Sequence, residues 1–449
     1  MKYKLTINLL LLAFAIIFVS CEQETPDEYQ GTPRDPSMPI VLTEFYPKAG
    51  GLATEVIIKG SNFGMDKDKI KVFFGKTEAS VVGANGDVLY VVTPRQPGDN
   101  TVISVQIGDE IVSFPDDDTF TYNIQRMITT LSGIKGTRVV KDGPIAEATF
   151  KSMTYVAVDD NDNVMVVERW DDNVIRLINQ NKGEVSTLWD NDRSCMSPTV
   201  DNNNVFITGI ESGTTIFTFD PKNNWAAERL TLVEAEGVDE SEKLPNEWNE
   251  WKHSTATHLP SGDVYTRSKK SNSLIRFNRI TGETWLVHPK IYANGRDGDT
   301  WLMFNPTNPN ELLMTDQDRH CVYKFDVSYV YNGGTTPMPE HATVFAGKYN
   351  SRGYADGPGS EALFNAPRQI AVDNNNNVYI ADYNNHIIRM IDTHGMVSTV
   401  IGIPGKSGYK DGNPDIALLN CPMGIAVSND GTVYIADFHN NCVRKLSIE

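Results

Sequence analysis

The sequence has few of the features that mark a zinc protein, a nucleic-acid binder or a protein with several membrane spans. It has only five cysteines among 449 residues and no CxxC spacing, so a structural zinc site is not expected. Lys and Arg (40) are outnumbered by Asp and Glu (58), and the net charge of −18 disfavours contact with a phosphate backbone. HExxH and GxSxG motifs are absent, and so is any long apolar run beyond the N-terminus.

Residues 1–20 have the pattern of an export signal. Lys2 and Lys4 precede an uncharged apolar run that is too short for a comfortable membrane span. Residues 18–21 (FVSC) resemble a bacterial lipobox, which implies that Cys21 is lipidated and becomes the first residue of the mature protein. The alternative is an ordinary secretion signal followed by a chance cysteine. Cleavage would remove two lysines and change the net charge from −18 to about −20.

Residues 21–38 are acidic and rich in proline, which predicts an extended tether without a core of its own. Acidic residues directly after a lipidated cysteine resemble the surface-export signal of Bacteroidota lipoproteins. That resemblance implies a lipid-anchored protein on the outer surface of the cell outer membrane. In an exported protein two of the other cysteines could pair, but the sequence does not specify which. These cysteines are Cys195, Cys321, Cys421 and Cys442.

Residues 39–124 alternate short β-rich runs with Gly, Asn and Pro turns, a pattern that predicts an antiparallel sandwich. Residues 45–47 (FYP), 58–64 (IKGSNFG), 72–75 (VFFG) and 93–94 (TP) resemble an IPT/TIG domain, which has an immunoglobulin-like fold. Residues of this kind serve turns and core, so the resemblance implies a fold and not an activity.

Residues 125–449 contain internal repeats. Residues 370–382 (IAVDNNNNVYIAD) recur at 425–437 (IAVSNDGTVYIAD), and an older copy lies at 156–168 (VAVDDNDNVMVVE). With weaker copies there are six units of roughly 40 to 65 residues, and strands in groups of four at this spacing predict propeller blades. The set resembles NHL repeats, which implies an all-β chain whose second domain is a six-bladed NHL-type β-propeller. Two elements recur with the strands: a basic residue (Arg176, Arg276, Lys324, Arg389, Arg444) and an upstream Asp-Gly pair (Asp142, Asp297, Asp356, Asp411).

The closure of the ring is also predicted. The last repeat reaches Glu449 one strand short of a full blade. Residues 127–132 (MITTLS) repeat the pattern of the outer strand at residues 396–401 (MVSTVI). Pairing of residues 127–132 with the last blade would remove an open sheet edge.

The seven tryptophans do not follow the repeat and all lie in the part of the ring where the copies are degenerate. A flat indole stacks on the apolar face of a sugar, so exposed tryptophans are expected in a glycan binder, and core packing is the alternative for each ring. An acidic insertion at residues 233–253 matches no blade. Long insertions on a rigid scaffold often carry function. The candidate glycan-stacking residues are Trp248 and Trp251 in this insertion, then Trp170 with Arg169 as a polar partner, and Trp301.

No catalytic residue, metal site or cofactor is predicted. The eight histidines share no repeat position, and His386 aligns with Cys321 and Asn441, so no ring of metal ligands is expected. His258 lies on a predicted inner strand and is expected to be structural. Residues 159–163 (DDNDN) resemble a calcium loop, but Asp and Asn also suit tight turns, which is the favoured interpretation.

The domain order resembles that of cell-surface IPT–NHL lipoproteins of Bacteroidota. The resemblance implies a glycan-binding partner of an outer-membrane transporter in polysaccharide uptake. The leading hypothesis is therefore a non-catalytic, surface-exposed lipoprotein that binds polysaccharide or oligosaccharide and has no nucleic-acid partner. The alternatives are a propeller lyase or hydrolase, metal-dependent in some forms, and a protein–protein scaffold on the cell surface.

Overall fold

The computed structural model describes residues 31–95, 100–170, 172–190, 193–293, 298–333 and 335–449. The predicted signal peptide, Cys21 and residues 21–30 of the predicted tether lie outside the described residues. The chain divides after Ile124 into two compact units. In the described part of the chain, no helix has the length and apolar character needed to cross a membrane.

The first unit is built from short strands whose apolar residues alternate with polar ones. Its described strands are β1 (Val41–Tyr46), β2 (Ala49–Gly50), β3 (Glu55–Ser61), β4 (Ile70–Phe74), β5 (Thr77–Ala84), β6 (Val88–Val92), β7 (Asn100–Thr101), β8 (Ile103–Ile107), β9 (Glu110–Ser113) and β10 (Phe120–Tyr122), with a 3₁₀ turn at Lys67–Lys69. Hydrogen bonds join them in the order β1-β3-β6-β5-β4-β8-β9 and, in a second sheet, β2-β10-β7. The motif residues Phe45, Phe63 and Phe74 are fully buried, which is the core role expected of them.

The described residues of the second unit form six sheets. The unit begins with β11 (Arg126–Ser132); blade 1 contains β12 (Gly143–Pro144), β13 (Met153–Val158), β14 (Val164–Glu168), β15 (Val174–Asn179) and β16 (Glu184–Asp190), and blade 2 contains β17 (Thr199–Val200), β18 (Phe206–Gly209), β19 (Thr215–Phe219) and β20 (Ala227–Thr231). Blade 3 contains β21 (Val233–Glu234), β22 (Ala256–Thr257), β23 (Asp263–Ser268), β24 (Ser273–Asn278) and β25 (Glu283–His288), and blade 4 contains β26 (Thr300–Phe304), β27 (Glu311–Asp316), β28 (Cys321–Asp326) and β29 (Thr343–Ala346). Blade 5 contains β30 (Gly357–Pro358), β31 (Pro367–Val372), β32 (Val378–Asp382), β33 (Ile387–Ile391) and β34 (Met396–Ile401), and blade 6 contains β35 (Pro422–Val427), β36 (Val433–Asp437) and β37 (Cys442–Ile448). Helical segments are α1 (Ser328–Tyr331) and 3₁₀ turns at Pro221–Asn223, Glu240–Glu242, Tyr383–Asn385 and Phe438–Asn440.

The six innermost strands form a closed ring. Strands β13, β17, β22, β26, β31 and β35 each contact the next, and β35 contacts β13. In each blade the following strands pair antiparallel from the inside outward. This arrangement is a β-propeller, with one sheet for each of the six repeats identified in the sequence.

The ring is closed by the first strand of the unit. Strand β11 pairs antiparallel with β37, with Met127 opposite Ser447 and Ile128 opposite Leu446. Ile128 is fully buried in the apolar cluster between blades 5 and 6. The predicted pairing of residues 127–132 with the last blade is confirmed.

Buried arginines explain two of the repeated sequence elements. Arg389 on β33 is fully buried and binds Asp382 at the end of β32 (3.1 Å) and Asp356 of the Asp-Gly pair (2.7 Å). Arg176 and Arg444 make the same two contacts in blades 1 and 6, with Glu168 and Asp142 and with Asp437 and Asp411. Blades 3 and 4 differ, because Arg276 pairs with Asp263 and Lys324 pairs with Glu311.

The acidic insertion is partly built into blade 3. Its first residues, Val233 and Glu234, form β21 and pair in parallel with β25. The expectation that residues 233–253 match no blade is therefore wrong for this edge strand. The insertion then crosses to the inner strand β22 without another strand.

Candidate functional site

The candidate residues lie toward one side of the propeller. We call it the front face: the side at which the innermost strands begin and the second strands end. The two meet there because they are antiparallel, as Met153 opposite Glu168 and Pro367 opposite Asp382 illustrate. The loops between second and third strands, and the segments that lead into the innermost strands, therefore lie on this face. Loops on a rigid scaffold are a common place for binding residues.

Trp170 presents an exposed indole on the front face, in the loop between β14 and β15. The residue is 53% exposed, and its ring packs edge-on against Phe438 of blade 6, with 5.4 Å between ring centroids. Its φ is +77°, in the left-handed region, and its backbone N–H donates to Asn173 Oδ1 (3.2 Å). Such a conformation is strained for a bulky residue, and strain of this kind is concentrated at functional sites.

Trp251, next to the inner strand of blade 3, is the second exposed indole. It is 45% exposed and also has a positive φ, +54°. The ammonium groups of Lys270 and Lys269 lie 5.0 and 6.0 Å from its ring centroid. The following residue, Lys252, is buried and donates to the backbone carbonyls of Gly213, Asn249 and Glu211. Lys252 therefore anchors the segment that directs the indole outward.

A continuous chain of charged groups connects the two exposed indoles. Arg169 binds Glu211 (2.7 Å), and Glu211 contacts His253 Nδ1 (3.2 Å). His253 Nε2 contacts Asp299 (3.1 Å), which also binds Lys269 (2.7 Å). Burial acts to raise the pKa of Asp299, but the hydrogen bonds and charges of His253 and Lys269 outweigh it and hold that pKa below its usual range. The chain crosses blades 1 to 4 and fixes the loops of both indoles.

The other binding residues predicted from the sequence are less exposed to a ligand. Trp301 is only 1% exposed, because it lies within the inner strand β26 and packs near Tyr155, so its indole is not accessible for stacking on a sugar. Trp248 is half-buried against an apolar cluster of blades 2 and 3. Arg169 is 4% exposed and donates to Tyr155 and Glu211, so it is a buried linker. The remaining tryptophans pack on neighbours: Trp189 on Phe217, Trp225 on Phe206 and Trp285 on Arg276.

The sequence interpretation missed Arg368, at the start of β31. Its guanidinium carbon lies 4.1 Å from the ring centroid of Tyr383 and 5.7 Å from that of Trp301. Burial lowers the pKa of Arg368. The repeats contain a signal that could have identified it: the same position holds Met423 in blade 6 and Thr154 in blade 1. A cation on an inner strand is therefore a departure from the repeat.

Two histidines occupy one repeat position on this face. His320 and His386 both end the turn before a third strand, with φ values of +58° and +60°. The Nδ1 atom of each accepts a backbone N–H of the next blade, from Ala366 (3.0 Å) and Cys421 (3.1 Å). The alignment of His386 with Cys321 is thus wrong by one residue. Within the described residues, no group of three His, Cys, Asp or Glu side chains could hold a metal ion.

Two further sequence candidates make local contacts. The ring of His258 stacks on Tyr331, 4.2 Å between centroids, and its Nδ1 lies 2.8 Å from Ser261 Oγ. The carboxylate of Asp159 accepts the backbone N–H groups of Asn161 (2.9 Å) and Asn163 (2.8 Å), as in an Asx turn. These contacts agree with the structural roles expected from the sequence.

The channel opens on the opposite side as a mostly apolar cavity. Gln369 spans its wall, since its amide accepts from Val156 N (3.1 Å) and Ile425 N (3.2 Å) and donates to Val156 O (2.6 Å). Gln369 thereby joins blades 1, 5 and 6. No tryptophan lines this cavity, whereas the front face carries two exposed indoles, so the front face is the stronger candidate for binding a sugar ring.

Family models match three stretches of the chain. Residues 40–122 match the IPT/TIG domain, residues 419–446 the NHL repeat and residues 347–414 the teneurin NHL domain. Among curated proteins, the Arabidopsis thaliana protein SUPPRESSOR OF QUENCHING 1 is 26% identical over 41% of this chain, and bovine NHL repeat-containing protein 2 is 34% identical over 24%. These matches span 18% and 15% of the two relatives.

Solved structures resemble nearly the whole chain. A Bacteroides thetaiotaomicron protein of unknown function is 28% identical with a TM-score of 0.77, covering 93% of this chain and all of the other. An auxiliary nutrient binding protein of the same organism is 25% identical with a TM-score of 0.61, covering 93% of this chain and 99% of the other. A Bacteroides ovatus protein of the same description, 22% identical, shares the fold (TM-score 0.61; 93% and 100% covered). The chain thus combines an IPT/TIG domain with NHL repeats, in a fold that it shares with solved Bacteroides proteins.

Proposed function

We propose that this protein is a non-catalytic, surface-exposed lipoprotein that binds glycans during polysaccharide capture and uptake. The observation that carries the proposal is the pair of exposed indoles, Trp170 and Trp251, on one face of the propeller. Both backbones adopt a left-handed conformation that is costly for tryptophan, and both rings remain solvent-accessible in the free protein. The nutrient binding described for a relative with 25% identity supports a binding role.

The contacts around the indoles suit a carbohydrate ligand. An indole offers an apolar face to the C–H groups of a sugar ring, and polar groups beside it bind the hydroxyls. Lys269 and Lys270 lie beside Trp251, and their ammonium groups can donate hydrogen bonds to sugar hydroxyls. Because the charged chain holds both loops in the free protein, little conformational entropy is lost on binding.

Glycan binding is tested by affinity electrophoresis and calorimetry against a panel of neutral and acidic polysaccharides. We expect Trp170→Ala and Trp251→Ala each to weaken binding about tenfold, which corresponds to about 1.4 kcal/mol. Trp285→Ala is the matched control, because Trp285 is a half-buried indole on the outer strand β25. Binding to no glycan, or equal loss in all three variants, would contradict the proposal. A product released from a bound glycan would favour the lyase or hydrolase instead.

The proposed location rests on residues 1–38. The export signal and Cys21 imply a lipid anchor on the outer membrane, and a transporter of that membrane is the proposed partner. Cys21→Ser is expected to abolish palmitate labelling and to release the protein from membranes, while protease added to intact cells should digest the wild type. Unchanged labelling of Cys21→Ser would refute lipidation at that residue. Co-purification with a transporter, without any affinity for glycans, would favour the scaffold alternative.

A further inference from the structure

Arg368 has no counter-ion among the residues that the structure describes. Within the described part of the chain its guanidinium has no hydrogen-bond acceptor and no carboxylate within ion-pair distance, and its Nε is buried. The two acids of the charged chain are already engaged: Glu211 binds Arg169 and His253, and Asp299 binds His253 and Lys269. Arg368 is half-buried, and a charge that has lost part of its hydration is stabilised by an opposite charge. An anion from outside the chain would complete this site.

Charged groups of both signs surround Arg368. Burial is the largest cause that lowers the pKa of Arg368; Tyr155, Tyr383 and Asp299 act to raise that pKa, and repulsion by Arg169 acts to lower it. Partial burial and the charges of Arg138 and Arg368 lower the pKa of His439. Because Glu211 and Asp299 are engaged in ion pairs of their own, Arg368 adds a positive charge to the centre of the front face, in a chain whose net charge is −18. This local field favours anions over neutral ligands.

The surroundings of the guanidinium suit a planar anion joined to a ring. Tyr383 lies against the guanidinium, with 4.1 Å between the guanidinium carbon and the ring centroid, and the guanidinium carries a planar fork of N–H donors. A carboxylate matches that fork with two parallel hydrogen bonds. The edge-packed rings of Trp170 and Phe438 are a sugar-stacking surface on the same face.

We propose that the front face binds acidic saccharides, and that Arg368 holds the carboxylate of a uronic acid residue. This inference rests on the proposed glycan binding and narrows its ligand class. Arg368 would make a charge-assisted, bidentate contact, while the exposed indoles stack on the sugar rings.

Calorimetry with matched ligands tests the inference. The probes are oligogalacturonate, oligomannuronate and oligoglucuronate of defined length, each compared with its methyl ester, which has the same rings and linkages but no charge. We expect at least one acid form to bind at least tenfold more tightly than its ester. Arg368→Met should bring that acid to the affinity of the ester. Arg319→Met is the control, because Arg319 also faces a tyrosine, Tyr349, but is already bound to Asn350.

Arg368→Lys provides a second variant, since it keeps the charge but loses the planar fork. It should bind the acid more weakly than the wild type and more tightly than Arg368→Met. Equal affinity for acid and ester, unchanged binding by Arg368→Met, or binding of sulfated glycans only would each overturn the inference. In those cases a neutral or sulfated glycan is still bound, so the proposed function survives. If the wild type binds no glycan of either panel, the proposed function itself fails, and this inference fails with it.

Discussion

Replacement of two arginines in the same blade should have very different consequences for the free energy of unfolding. Arg368→Met removes a guanidinium that has no anionic partner among the described residues, whereas Arg389→Met removes one with four acceptors. Arg389 donates to the carbonyls of Leu363 (2.9 Å) and Ala355 (2.7 Å), in addition to its two ion pairs. The pair of variants therefore separates an arginine kept for binding from an arginine kept for folding.

The magnitudes follow from the partners that are left behind. Arg389→Met leaves Asp382 fully buried without its counter-ion, and loss of one member of a buried pair costs about 3–5 kcal/mol. Arg368→Met gives up a cation–π contact with Tyr383 worth about 0.5–2 kcal/mol, but it also removes a charge with no anionic partner among the described residues from a half-buried position. We expect the free energy of unfolding to change by about 1 kcal/mol or less in Arg368→Met, or to rise.

The assay is urea unfolding followed by tryptophan fluorescence. All seven tryptophans lie between Trp170 and Trp301, so the signal reports only on the propeller. The loss in Arg389→Met should be smaller at pH 5.5 than at pH 8. Burial already raises the pKa of Asp382 to about 6, and a protonated Asp382 needs no counter-ion, so the folded variant gains stability as the pH falls. A loss of 3 kcal/mol or more in Arg368→Met would refute the distinction, because Arg368 would then be a structural residue.

Two other predictions concern the closure of the ring and the cysteines. Ile128→Ala should lower the free energy of unfolding by about 2–5 kcal/mol, because Ile128 is fully buried on β11. Met127→Ala, on the exposed side of the same strand, is the control and should change the free energy of unfolding by less than about 0.5 kcal/mol. Equal effects of the two variants in urea unfolding would contradict closure of the ring by β11. Cys321, Cys421 and Cys442 are buried thiols, and burial raises the pKa of Cys321 and Cys442 to about 12. Ellman's reagent at pH 8.5 should therefore label these three only after unfolding; rapid labelling of the native protein would disprove their burial.

The fold was largely predictable because a repeated sequence motif identifies the equivalent strand in each blade. The copies at residues 156, 370 and 425 mark inner strands, and residues 127–132 carry the pattern of a missing outer strand. The roles of the Asp-Gly pairs were not predictable in the same way. Asp356 is separated from Arg389 by 33 residues, and only the pairing of β30 with β34 brings the two together.

The site was less predictable, because exposure is a property of the packed structure. The sequence identified Trp170 and Trp251 as candidates but could not separate them from Trp301, whose indole is buried at the centre of the ring. Composition gave no reason to choose among them, since each is an aromatic residue in a degenerate copy. Arg368 was not predicted, because it lies in a well-preserved copy of the repeat. The equivalent residue is Met423 in blade 6 and Thr154 in blade 1.

The degenerate blades suggest why the charged chain lies where it does. In blades 1, 5 and 6 the second strand ends in a carboxylate that binds the arginine of its own third strand, so each loop is held within its blade. In blades 2 and 3 the second strand ends in Gly209 and Ser268, so among the described residues these blades lack the ion pair between the end of the second strand and the third strand. The loops there are held by pairs that cross between blades, from Arg169 to Glu211 and from His253 to Asp299. Ion pairs between blades therefore replace ion pairs within a blade. The result is a rigid surface with varied side chains, which is the arrangement that a preorganised binding site requires.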